Sequence, residues 1–254
     1  MLTRAKLDRL YIRYNKREHV NPDPLQFLYG YTDIKDREIV GMVASSLAYG
    51  RVAQIIKNVS SVFYKMGPSP YTFLLEATNL ELVEAFKGFK HRFTDENQLV
   101  FFLGCLRDAL VRFGSLNECF LSGYRKEDED VLLSLKNFIR LLTCRPSGFC
   151  SSLFPDAGGR SAFKRFNLFL RWMVRKDDVD PGGWKGIRAS QLIIPLDTHM
   201  HKISLELGLT ERSQADILTA LEVTRSFKRF CPKDPVKYDF SLTRLGIKNF
   251  EYVF

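Results

Sequence analysis

Apolar residues recur along this chain at three- and four-residue intervals, and no segment shows the sustained alternation of a half-buried strand. Leu7, Leu10, Tyr11 and Tyr14 share one helical face within residues 3–16, and Asn21-Pro22-Asp23-Pro24 then breaks the chain. Ile39, Val43 and Leu47 predict a second helix over 36–48. The turn Ala48-Tyr49-Gly50 leads into a third over 51–65, which Gly67-Pro68-Ser69-Pro70 stops. Two short helices follow, then a longer one over 95–113 that is apolar on several sides and is expected to be central. Residues 123–130 read as a charged surface turn and 131–142 as helix again. The pattern predicts an all-α fold without substantial sheet, internal repeat or low-complexity linker.

Composition sharpens the picture in three ways. With 254 residues and 45% hydrophobic side chains, the chain can bury a large core as one domain or two lobes. It holds no run of eighteen apolar residues and its first residues lack an apolar export core, so a soluble cytoplasmic protein without a membrane partner is expected. Cys105, Cys119, Cys144, Cys150 and Cys231 are odd in number and contain no C-x-x-C pair, which predicts reduced thiols and argues against zinc or iron–sulfur sites. The net charge of +9 suits a polyanionic partner.

Two segments carry candidate chemistry. In Ile193-Ile194-Pro195-Leu196-Asp197-Thr198-His199-Met200-His201-Lys202-Ile203, Pro195 prevents helix continuation from upstream, and Asp197 or Thr198 can cap the helix that follows. Gly208 ends that helix. An aspartate at a helix start is stabilised as a carboxylate by backbone N–H groups and the dipole, as a reaction through a cationic sugar would require. Upstream, Asp156-Ala157-Gly158-Gly159-Arg160-Ser161 reads as a short glycine hairpin feeding a helix over 162–175, whose first N–H groups can face a phosphate. Between Arg160 and Arg188 stand eight basic residues and three acidic ones, five of the nine net positive charges.

The block from Pro195 to Ile203 with Leu207-Gly208-Leu209 resembles the signature of the helix-hairpin-helix DNA glycosylases. Lys164-Arg165-Phe166-Asn167-Leu168-Phe169-Leu170 is similar to the segment where bifunctional members carry a nucleophilic lysine. Cys231-Pro232 through Asp239 with Leu245-Gly246 resembles the family's closing helix, and Val43 to Ile55 its first helix pair. The whole sequence is also similar to a family of bacterial proteins described only as a domain of unknown function. The glycosylase resemblance implies two helical lobes with a cleft, residues 1–50 and 197–254 forming one lobe and 51–196 the other. It implies a monomer acting without cofactor or metal on double-stranded DNA with a damaged base such as an oxidised purine, with or without strand cleavage.

In that reading Asp197 stabilises the developing cation or accepts a proton, and Lys164 forms a Schiff base with C1′ of the sugar. Lys176 and Lys185 are rivals for the latter role. Gly158, Gly159, Arg160, Ser161, Arg165 and Lys185 would contact the strand. Tyr49, Arg51 and Gln54 are the candidates for filling the gap left by a flipped base, and Trp172, Trp184, Tyr49 and Phe149 for stacking on it. The 33 residues between Lys164 and Asp197 make a wide gap, similar to that of the archaeal 8-oxoguanine glycosylases. Ala162 stands where a second hairpin glycine is usual, and no cysteine cluster follows the last helix. Two alternatives compete: a non-catalytic nucleic-acid-binding module, and a metal-dependent hydrolase using His199 and His201, although residues two apart on a helix diverge.

Overall fold

A computed structural model describes residues 2–143 and 151–245; Cys144, Phe149, Cys150 and Gly246 lie outside the described residues. The chain is predominantly helical, and among the described residues the only paired strands are the two-residue β1 (Lys90–His91) and β2 (Thr94–Asp95). No described helix is long and apolar enough to cross a membrane. Packing divides the chain into two compact units, one of Met1–Asn21, Lys126–Leu132 and Gly159–Phe254, the other of Pro22–Arg125 and Leu133–Gly158.

In the second unit, Asp33 caps α2 (Ile34–Ser46), Arg51 precedes α3 (Val52–Met66), and Ser69 and Thr78 cap α4 (Pro70–Glu76) and α5 (Asn79–Phe86). Each of these side-chain oxygens takes a backbone N–H that the first helical turn leaves without a partner. The long helix α6 (Glu96–Phe113) packs on α4, α5 and α7 (Leu116–Leu121). Its Leu99, Phe102, Leu103 and Leu106 are fully buried, so it is the centre that its many-sided apolar pattern predicts. Burying each such side chain contributes about 1.5–3 kcal/mol. Helix α2 is buried from Glu38 to Ser46, and the Glu38 carboxylate accepts the N–H groups of Leu116 and Asn117 at the head of α7. The last helix here is α8 (Leu132–Leu142), started by Asp130, whose carboxylate accepts Leu132 N–H.

The first unit holds α1 (Arg4–Tyr14), α9 (Lys164–Val174), α10 (Thr198–Glu206), α11 (Ile217–Lys228) and α12 (Asp239–Leu245). Helix α1 packs on α12, where Asp8 accepts from Lys237 and Tyr238. After α9 the chain folds back along that helix's end, Gly182 N–H donating to Trp172 O and Trp184 N–H to Met173 O. Trp172 and Trp184 are therefore buried core residues.

The unit boundaries fall at different points from the lobes the resemblance implies. Helix α2 packs against the 3-10 segment Pro24–Gly30, α4 and α7, so it groups with α3. Helix α9 is tied through Arg171 to Asp239 at the head of α12, so it groups with α10. The hairpin ahead of α9 also differs from expectation. Ser161 pairs with Asp216 in an antiparallel bridge, Arg160 O accepts Ile217 N–H, and Phe163 adopts a left-handed φ of 50°. These contacts hold the chain extended and delay the helix from residue 162 to Lys164.

Candidate active site at the heads of two helices

Lys164 is the first residue of α9, and Asp197 immediately precedes α10. The choice between Asp197 and Thr198 as cap falls to Asp197, whose Oδ1 accepts N–H from His199 at 3.0 Å and Met200 at 2.9 Å. That leaves Oδ2 for Lys164, whose Nζ stands 3.7 Å away. The two side chains keep 27% and 35% of their surface exposed, enough for a ligand to reach both. Phe163, the residue ahead of α9, makes no side-chain cap hydrogen bond.

Beneath this pair lies a buried ionic network. Arg171, two turns along α9 from Lys164, donates to Asp180 at 3.2 Å and to Asp239. Arg175 donates to Asp234, Asp177 and Asp180, and Tyr11 donates to Asp177 at 3.0 Å. Arg171, Arg175, Asp180 and Asp239 are all at least nine-tenths buried. Burial raises the Asp239 carboxyl above its ordinary range, against Arg171; Asp197 adds to the rise and Lys164 opposes it. Asp239 is thus within electrostatic reach of the exposed pair. Burial likewise raises Asp180, to about 6, against its two arginines.

This network takes up part of the charge counted between Arg160 and Arg188. Arg171 and Arg175 are spent inside the protein on Asp177 and Asp180 of the same stretch. The cancellation is even, so its surplus of five positive charges remains with Arg160, Lys164, Arg165, Lys176, Lys185 and Arg188 against Asp178.

Of the rival lysines, Lys176 is exposed beyond the far end of α9, about 15 Å along the axis from Lys164 at 1.5 Å per residue. Lys185 is exposed next to Trp184, which is tied to that same far end. Gly158, Gly159, Arg160 and Ser161 lie in the turn and bridge ahead of α9, where Asp156 accepts Gly158 N–H. Arg165 follows Lys164 and is half-buried. His199 is exposed, and the buried His201 uses Nε2 on Arg212 O at 2.8 Å. Among the described residues no three His, Cys, Asp or Glu side chains gather where a metal ion could be held. Cys105 and Cys119 are buried and Cys231 half-buried, all three outside any disulfide; burial pushes the Cys119 thiol up to about 12.

Tyr49, Arg51 and Gln54 belong to the other unit. The Tyr49 hydroxyl bonds His91 O at 2.9 Å and Thr94 at 2.6 Å, Gln54 donates to Asn58, and Arg51 stands exposed at the head of α3. Sequence reasoning passed over Asp239 and Arg171 as parts of one site, since nothing in their 68-residue separation signals contact. It also passed over Arg92, which an isolated arginine in a polar turn does not announce.

Compared with curated proteins and with solved structures, the chain finds no match. Residues 23–248 do match a protein family, described as Protein of unknown function (DUF2400), and the chain, covered over most of its length, belongs to that family.

Proposed function

We propose that this protein is a DNA glycosylase of the helix-hairpin-helix kind, excising a damaged base such as an oxidised purine from double-stranded DNA and forming an imine with the sugar. The observation that carries the reading is the 3.7 Å approach of Lys164 Nζ to Asp197 Oδ2 at the heads of two helices. Lys164 Nζ, having given up a proton, attacks C1′; the bond from C1′ to the base breaks and its electron pair leaves with the base. Ring opening then gives the imine between Nζ and C1′, with a proton passing to O4′. In this reading Asp197 accepts the lysine proton and stabilises positive charge on the sugar, and its other oxygen keeps α10 capped. Gly158, Gly159, Arg160, Ser161, Arg165 and Lys185 supply strand contacts in this reading.

The test is to incubate the protein with duplexes carrying an abasic site or individual damaged bases, reduce with borohydride, and map the modified lysine by mass spectrometry. A cross-link at Lys164, absent in Lys164→Gln, is the expected result. A cross-link at Lys176 or Lys185 would keep the activity and reassign the nucleophile. Excision without any cross-link would make water the nucleophile, and neither on any duplex would overturn the proposal.

A further inference from the structure

The unit that contains α3 carries a second constellation, built on different residues. A cavity of about 630 Å³ is lined by Gly50, Arg51, Gln54, His91 and Arg92. Its walls are held by a buried, uncharged network. Asn58 Nδ2 donates to His91 Nδ1 at 2.8 Å and to Lys90 O at 3.1 Å. His91 Nε2 therefore carries the ring proton and donates to Tyr49 O at 3.1 Å. The Tyr49 hydroxyl bonds back to the hairpin at His91 O and Thr94. These bonds clamp the β1–β2 turn to the head of α3, and the exposed groups they fix are two arginines.

Arg92 holds a left-handed φ of 53°, a conformation unusual for a side chain of its size. Its stem lies across Gly50, where an added Cβ would come within 2.7 Å of Arg92 Cδ, so glycine at 50 gives the arginine its place. The Arg92 guanidinium stacks on Phe93, 5.2 Å from the ring centroid. Among the described residues neither Arg51 nor Arg92 forms an ion pair. Arg51 and Arg92 both line the one cavity together with Gln54, and no carboxylate stands among its described lining residues. The fork of five N–H donors on each matches the oxygens of a phosphate.

We infer that this cavity is a phosphate seat for a nucleic-acid strand, with Arg51 and Arg92 as its anchors. Arg51 and Gln54 then grip the backbone instead of filling a gap between bases, and Tyr49 supports the seat from behind. The inference rests on nucleic acid being the partner, as proposed above, and is independent of the Lys164 chemistry.

The test compares the full-length wild type with Arg51→Gln/Arg92→Gln and with the control Arg112→Gln/Arg140→Gln, which removes two exposed cations of the same unit. Binding to a fluorescent duplex is followed by anisotropy over a range of salt. Losing two phosphate contacts should weaken binding roughly tenfold or more near 0.1 M salt and flatten the slope of log K against log salt by about two. The control should change little, and inorganic phosphate at matched ionic strength should compete no better than chloride. Equal affinities and slopes in the seat variant and the control would overturn the inference. So would an inorganic phosphate signal at Gly50 and Arg51 amides, lost in the seat variant while duplex binding stays at the wild-type level; that result makes it a site for a free anion. Absence of both base excision and any borohydride cross-link in the wild type, with the seat variant still weakened, would sink the glycosylase proposal and leave the seat standing.

Discussion

The two units use opposite means to hold polar side chains in place. In one, Arg171 and Arg175 are buried among Asp177, Asp180, Asp234 and Asp239, and the Lys164–Asp197 pair opens to solvent above them. In the other, His91, Asn58 and Tyr49 form a network without formal charge, and the cations it supports stand outside. A buried ionic network is costly to break from one side, because each removed partner strands a charge. A neutral network fails more gently but must stay neutral. The comparison teaches that the first support should yield to mutation, and the second to acid.

The largest expected effect comes from Arg171→Ala, which strands the buried Asp239 carboxylate and takes one of two arginines from Asp180. It should cost about 3–5 kcal/mol, read as a lowered urea midpoint, and should lower cross-linking yield at Lys164 in whatever fraction stays folded. A loss under 1 kcal/mol would mean that the network is not what holds α9 to α12.

Asn58→Ala should be milder. Lys90 O, His91 Nδ1 and Gln54 each lose a partner, at about 1–3 kcal/mol in total, and amide signals of residues 90–95 should move while those of α9 and α10 stay.

Acid gives the third break. Burial holds the His91 ring below its ordinary value of 6.5, so folding favours the neutral ring. The stabilisation is complete above pH 6.5 and is lost as pH falls through the lowered folded-state value. In the ionic unit, the Lys237 hydrogen bond lowers the Asp8 carboxyl despite partial burial, and Arg175 with backbone N–H groups lowers Asp177 against its burial. Their contribution persists until pH drops below about 4. The raised carboxyls of Asp180 and Asp239 act in the opposite sense, being easier to protonate folded than unfolded. Between about pH 6 and pH 4, then, hydrogen exchange should quicken first around the β1–β2 turn, and simultaneous loosening in both units would contradict the contrast.

The smallest effect on stability is expected from Asp197→Asn. Asparagine caps a helix about as well as aspartate, so stability should change by no more than about 0.5 kcal/mol, whereas Asp197→Ala should lose about 1 kcal/mol. Base excision should disappear in both, because neither supplies the charge. Parental excision by Asp197→Asn would reduce the residue to a cap.

Helix periodicity made most elements legible, since it reports burial along a single segment: α6 reads as central from Leu99 to Leu110 alone. Asp197 was legible because proline, cap and glycine are local signals. The burial of Arg171 and Arg175 was not legible, because an arginine that pairs with an aspartate in the interior looks in sequence like an arginine facing solvent. The β1–β2 turn was missed because two-residue strands leave no alternation to detect. The early start expected for α9 followed the apolar pattern through Ala162 and Phe163, whereas the bridge from Ser161 to Asp216 is a tertiary contact that overrides it.

Helix α2 is buried along most of its length, and with its Glu38 carboxylate consumed in holding the head of α7 it has no face from which to fray. Its amides exchange with solvent only when the surrounding unit opens as a whole, so α2 reports the slowest opening in that half of the chain. Protons there should outlast those of the α3 head by orders of magnitude, and a protease should find the bond after Arg51 long before any bond within α2.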